Sequence, residues 1–118
     1  MTGHKQRIGS WGEGIAAEYL AGRGYEILAR NVRTPYGEID VLARQGDITI
    51  FVEVKTLTKS GNFFPEHNIT SRKREHMLAA AEYYAAEHQI NHWQIDVVAI
   101  EGRPPDGPTI NLFENAVQ

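Results

Sequence analysis

Two runs of alternating polar and apolar residues, joined by a short polar tip, constrain this chain more than anything else in it. Glu38 to Arg44 sets Ile39, Val41 and Ala43 on one face and Glu38, Asp40 and Leu42 on the other. Gln45-Gly46-Asp47 reads as a hairpin tip. Ile48 to Thr56 then sets Ile48, Ile50, Val52 and Val54 on one face and Thr49, Phe51, Glu53 and Lys55 on the other. A hairpin with one aliphatic face cannot stand alone in water; it needs further strands and a covering helix.

The rest of the chain supplies them. Trp11, Ile15, Ala16, Tyr19 and Leu20 recur at helical spacing, predicting a first helix over about 10–23. Ser10 and Glu13 have the pattern of a capping box at its start, and Gly24 suits the position just past its end. A strand is expected at about 25–31, followed by a turn at Thr34-Pro35-Tyr36-Gly37. After the hairpin, residues 57–69 lack periodicity and read as a mobile loop of the kind that often carries function. A second helix is predicted over 71–89 with Thr70 as its N-cap and Met77, Ala80, Ala81, Tyr84 and Ala85 on its apolar face. Strands near 93–100 and 110–113 close the order αβββαββ, a mixed α/β single domain over 1–118 in which residues 1–8 are expected to be flexible.

Composition narrows the function. The 118 residues carry 12 Lys and Arg against 15 Asp and Glu, a net charge of −3, which excludes a basic coat for nucleic acid. The excess is uneven. Residues 1–60 hold eight basic and seven acidic groups and residues 61–118 hold four and eight, yet three of those four basic residues stand together as Arg72-Lys73-Arg74. The absence of cysteine excludes disulfides, thiolate catalysis and cysteine zinc sites. The apolar runs are too short to cross a bilayer, and the N-terminal residues lead into no apolar segment, so a cytoplasmic protein without membrane contact is expected.

The chemistry gathers on the hairpin. Glu53 and Lys55 share a strand face, with Cα atoms roughly 6.5–7 Å apart. Pairing Arg44 with Asp47 would set Asp40 diagonal to Glu53, and pairing Arg44 with Thr49 would set it directly across; both put the carboxylates on one face, whereas a three-residue loop would put them on opposite faces unless a bulge corrected it. Two carboxylates and a main-chain carbonyl suit a hard divalent cation, Mg²⁺ or Mn²⁺, and a neighbouring ammonium such as Lys55 suits an activated water or a charged phosphorane. The competing reading is an exposed cross-strand ion cluster worth a few tenths of a kcal/mol.

Gly37-Glu38-Ile39-Asp40 and Phe51-Val52-Glu53-Val54-Lys55 carry a resemblance. They are joined by the Gly9 to Gly14 segment around Glu13, by Gly24-Tyr25, Ile27-Leu28, Arg30-Asn31 and Thr70 with Lys73, and by Asp96-Val97-Val98. Over roughly 9–100 the chain resembles the YraN-like proteins, an uncharacterised bacterial family assigned to the restriction-endonuclease-like fold and similar to archaeal Holliday-junction resolvases. The resemblance implies a mixed central sheet flanked by helices and a metal-dependent endonuclease acting on DNA, including branched or junction DNA. It implies Asp40, Glu53 and Lys55 as catalytic residues, and Asp40, Glu53 and Glu13 as ligands of Mg²⁺ or Mn²⁺. DNA is the implied partner rather than RNA, with a homodimer cutting two strands. The chain departs from the family pattern at Gln94-Ile95 and at Phe63-Phe64-Pro65, where substrate contacts are in question. A binding module without turnover and an adaptor protein are the alternative readings.

Several residues invite two roles. Glu13 is either a ligand or the third residue of the helix cap. Glu38 reads as a solvated strand end. Positive charge in the first turn of a helix opposes its dipole, so Arg72, Lys73 and Arg74 fit a phosphate contact better than a stability role. The histidines form no zinc pattern, although His67 lies in the mobile loop. Asp96 is expected to pair with an arginine such as Arg33. Trp11, Tyr83, Tyr84 and Trp93 read as core, with any exposed ring available to stack on a base.

Overall fold

A computed structural model describes residues 3–57, 70–102 and 108–117 of the chain. Seven elements follow in order: α1 (Gly3–Gly22), β1 (Glu26–Thr34), β2 (Gly37–Gln45), β3 (Ile48–Leu57), α2 (Ser71–Glu87), β4 (Trp93–Glu101) and β5 (Thr109–Phe113). The strands form one mixed sheet in the order β1-β2-β3-β4-β5, with β3 and β4 parallel and every other pair antiparallel. Strand β4 is interior to the sheet and almost continuously apolar, as a strand covered on both faces should be.

Helix α1 contributes Ala16 and Leu20 to one apolar layer, with Tyr25, Val41, Ala43, Ile50, Val52, Val98 and Ile100. Helix α2 contributes Ala80, Ala81 and Ala85 to the other, with Ile39, Leu42, Phe51, Ile95 and Val97. The sheet therefore separates two cores. Small residues on α2 let it lie close to the sheet, while Phe51 fills the space between by meeting Tyr84 and Trp93 edge-on, at centroid distances of 5.8 and 5.5 Å.

The helix ends follow local rules, with one correction. At the end of α1, Gly24 takes φ +94°, its N–H bonds the Ala21 carbonyl, and the Tyr25 N–H reaches back to the Leu20 carbonyl. This is a Schellman motif, and its apolar contact is the packing of Tyr25 with Leu20. At the start of α2, the Thr70 hydroxyl accepts from the Lys73 N–H as the expected cap. The start of α1 differs from expectation: the helix begins at Gly3, so Ser10 lies inside it and cannot cap it. The helix-forming run simply continues upstream through His4-Lys5-Gln6-Arg7, and a serine with helix on both sides has no free amides to satisfy. The expected loop and His67 lie outside the described residues apart from Leu57, the last residue of β3.

The hairpin takes one of its two expected registers. Arg44 pairs with Thr49, and one further pair, Gln45 with Ile48, leaves Gly46-Asp47 as a two-residue turn with Gly46 at φ +63°.

Candidate metal and phosphate site

The expected alternation of β2 holds only in part, and the departure builds the site. Leu42 packs with Ile39 in the α2 layer, although the two are three residues apart and alternation would set them on opposite faces. Val41 and Ala43 lie in the α1 layer. Strand β1 does the same, with Ala29 and Val32 both packed against the α2 layer. The faces exchange between two pairs that keep the same register, whereas the shift of register in this ladder lies further along, between Ile27 and Ala29. Arg30 pairs with Val41 and Val32 with Ile39, so the row between holds Asn31 and Asp40. Asn31 sits there at φ +54°, a left-handed conformation that asparagine tolerates better than most residues. A left-handed residue turns the backbone of its strand and so re-aims the side chains beside it. Here the β2–β3 pairs stop at Val41 and Val52, and the Asp40 carboxylate takes the Val54 N–H at 2.8 Å.

Three carboxylates converge at this break. Oxygen atoms of Glu13, Glu38 and Asp40 all lie within 4.8 Å of one another. Asn31 holds two of them, its Nδ2 donating to Glu13 Oε1 at 2.9 Å and to Glu38 Oε1 at 3.2 Å. Arg30 approaches Glu13 Oε1 at 3.8 Å. Glu13 is placed by its neighbour: Gly12 is buried against β3, where a Cβ would collide with the Thr56 hydroxyl, so glycine lets α1 come near enough for Glu13 to reach the strands. Glu13 thus serves no capping box. Glu38 is exposed at the start of β2, as a solvated strand end would be, and one of its oxygens also stands in the cluster.

The charge at Asp40 is uncompensated. Burial pushes its carboxyl up from 3.8 to about 7, the Glu53 charge adds to this, and Glu13 adds less; the Val54 amide and the Lys73 ammonium oppose the rise without cancelling it. Glu53 has found a counterion. Its Oε2 lies 2.9 Å from Lys73 Nζ, with the Glu53 side chain 14% exposed. Burial works to lower Lys73, but the Glu53 charge and hydrogen bond outweigh it and raise Lys73 above its ordinary value. Of the three basic residues at the head of α2, Lys73 therefore turns to the carboxylates, Arg72 is exposed and Arg74 is half-buried. Lys55 is half-buried two residues beyond Glu53, paired in register with Ala99, and its side chain makes no hydrogen bond or ion pair with another described residue.

Sequence reasoning missed Asn31 and gave less weight to Glu38 beside Asp40 than to a solvated strand end. The signal for the first was available, because asparagine is disfavoured within a strand and tends to mark an irregular position.

These residues lie within a match to a family profile that spans residues 12–100 and carries the description "Uncharacterised protein family UPF0102". The chain belongs to this family. Its relatives include a UPF0102 protein of Dehalococcoides mccartyi, 38% identical over 119 residues that cover 99% of this chain and 98% of that protein. A UPF0102 protein of Roseiflexus castenholzii is 45% identical over 85% of this chain and 83% of its own length. One from Syntrophotalea carbinolica is 42% identical over 87% and 85%. The YraN-like resemblance read from the strings around Asp40 and Glu53 thus holds at the level of the UPF0102 family. Among the described residues, no helix is long and apolar enough to cross a membrane.

A second buried carboxylate is not part of the site. Asp96 is fully buried and takes the Tyr25 hydroxyl at 3.1 Å, Gln94 Nε2 at 2.9 Å and the Asn115 N–H at 2.9 Å. The expected partner Arg33 is exposed on β1, paired in register with Glu38. Three neutral donors satisfy Asp96 without the cost of bringing a guanidinium out of water.

Proposed function

We propose that this chain is a metal-dependent nuclease of restriction-endonuclease-like fold that hydrolyses phosphodiester bonds in DNA. The observation that carries the reading is the convergence of Glu13, Glu38 and Asp40 at the broken row between β1 and β2, with Asp40 pushed up to about 7. Acidic groups held this close cost stability even with Arg30 3.8 Å from Glu13, and a hard divalent cation lowers that cost. The donor set fits Mg²⁺ or Mn²⁺: every donor is a carboxylate oxygen, with neither histidine nor thiolate among them.

Asp40 and Glu13 would hold the cation with Glu38, and Glu53 stands beside them on β3. When bound, the cation supplies a water made acidic enough to attack phosphorus and offsets charge on the phosphate. Lys55 orients that water or meets the developing negative charge. Lys73 lies at the same end of the sheet with its charge held by Glu53, and Arg72 offers an exposed contact to the flanking phosphates. DNA is the proposed partner, and a two-fold dimer in the cytoplasm would present two such sites to two strands.

The Lys73–Glu53 ion pair supports a second reading, a nucleic-acid-binding module without turnover, because it neutralises a carboxylate that hydrolysis would need. A cleavage assay separates them. With Mn²⁺ present, duplex, single-stranded, flapped and four-way-junction DNA are incubated with the protein and with Asp40→Ala. The nuclease reading expects cleavage of at least one substrate, lost in the variant and in EDTA. Cleavage that survives in Asp40→Ala, or calorimetry showing no Mn²⁺ binding, overturns it.

A further inference from the structure

Beside the carboxylates, between the β1–β2 turn and α2, lies a cleft of about 110 Å³. Tyr36, Glu38, Glu53, Lys73, His76 and Met77 are among the residues that line it. Glu38 belongs to both the cleft and the carboxylate cluster, so one opens onto the other.

Tyr36 is the unusual wall. It is 51% exposed at the tip of the turn, yet it is held rather than loose. Its N–H donates to the Thr34 hydroxyl, which in turn donates to the Gly37 carbonyl at 2.7 Å. Its ring meets Tyr83 of α2 edge-on at 6.1 Å, and Tyr83 is itself 37% exposed. Two tyrosines bracing one another in water leave a ring face without a partner, at a cost in exposed apolar surface. Met77 adds an apolar wall, and Lys73 adds an ammonium that Glu53 holds at 2.9 Å and that an incoming phosphate would have to share.

A flat ring beside a flat aromatic, with a cation within reach of an attached anion, is the chemistry of a nucleotide. We propose that this cleft receives an unpaired nucleotide, its base stacked on Tyr36 and its phosphate turned toward Lys73. A base inside a duplex is stacked on both faces and cannot offer one to a protein ring. The substrate class is therefore single-stranded DNA or the unpaired part of a flap or junction. This rests on the nuclease reading for its position beside the carboxylates, but it concerns binding rather than cleavage.

The test measures binding alone. Fluorescence anisotropy of a labelled single strand and of the matching duplex is followed for the wild type, Tyr36→Ala and Tyr36→Phe, with 2-aminopurine placed in a parallel single strand. The expected result is single-strand affinity at least about tenfold above duplex affinity, a loss of about tenfold in Tyr36→Ala, and retention in Tyr36→Phe. Quenching of 2-aminopurine should follow the same order. Unchanged single-strand affinity in Tyr36→Ala, or an equal loss for strand and duplex, overturns the proposal, and so does a cleft that takes no nucleic acid. The two readings fail separately. Tyr36-dependent strand binding without Mn²⁺-dependent cleavage removes the nuclease and leaves the base site; Asp40-dependent cleavage indifferent to Tyr36→Ala does the reverse.

Discussion

Asp40 and Asp96 occupy strands of the same sheet on either side of β3 and have opposite surroundings. Asp96 is fully buried and accepts three hydrogen bonds, from a hydroxyl, a side-chain amide and a main-chain N–H. Asp40 is less buried, accepts one bond from Val54, and faces Glu13, Glu38 and Glu53. The deeper carboxylate is the satisfied one. Its neighbours also respond to it: burial first, then the Asp96 charge and hydrogen bond, raise the Tyr25 hydroxyl above its ordinary value. Burial by itself therefore does not mark a functional acid. What distinguishes Asp40 is that the fold collects like charges around it and provides little to offset them.

The largest expected effect tests the structural half of that contrast. Asp96→Ala leaves the Tyr25 hydroxyl, the Gln94 amide and the Asn115 N–H without their acceptor, at ~1–3 kcal/mol each, so a loss of roughly 5 kcal/mol is expected in urea denaturation. If the variant remains folded, its Mn²⁺ affinity should match the wild type. A loss below about 1 kcal/mol would show that these three donors find other partners and that the two aspartates differ less than their contacts suggest.

The next effect is smaller and runs with pH. Asp40 has a folded-state pKa raised above its unfolded value, so the folded protein binds the proton more tightly. The contribution of Asp40 to stability is therefore largest below the unfolded value of 3.8, declines as pH rises toward about 7, and is constant above it. The rise sets a ceiling of about 4 kcal/mol on this decline. Asp40→Asn keeps an oxygen to accept from Val54 and carries no charge, so its stability should exceed that of the wild type at about pH 8 and match it near about pH 4. Mn²⁺ should recover much of the difference in the wild type and none in the variant. A wild type and variant with parallel pH profiles would remove the electrostatic distinction between Asp40 and Asp96.

Much of this frame is legible in the residues. The apolar alternation of β3, the Thr70 cap and the glycine at position 24 each follow from a local rule, and each stands in the structure. The site is legible only to the level of which strands carry it. The alternation that places Ile39 with Val41 is broken by the backbone at Asn31 and Asp40, and side-chain pattern cannot register a single left-handed residue on the neighbouring strand. The Asp96 partners illustrate the other limit. Tyr25 and Asn115 lie 71 and 19 residues away along the chain, and only the closed sheet brings them together. Charge arithmetic favoured an arginine there; the lower desolvation cost of neutral donors prevailed.

The smallest effect on stability concerns how Glu13 reaches Asp40, and it has two opposing parts. Gly12→Ala should gain roughly 1 kcal/mol from helix propensity. The added methyl meets the Thr56 hydroxyl, so either Thr56 leaves its rotamer or α1 withdraws, and overpacking of this kind costs ~1–3 kcal/mol. The net expectation is a loss of about 1 kcal/mol, together with weaker Mn²⁺ binding because Glu13 moves with the helix. The double variant with Thr56→Ala removes the obstruction and should be about 1 kcal/mol more stable than Thr56→Ala alone. Asp96 lies outside this contact, so its hydrogen bonds should be unaffected in both. If Gly12→Ala by itself stabilises the protein by the full helix-propensity gain, the close approach is not what glycine serves there, and the position of Glu13 beside Asp40 needs another cause.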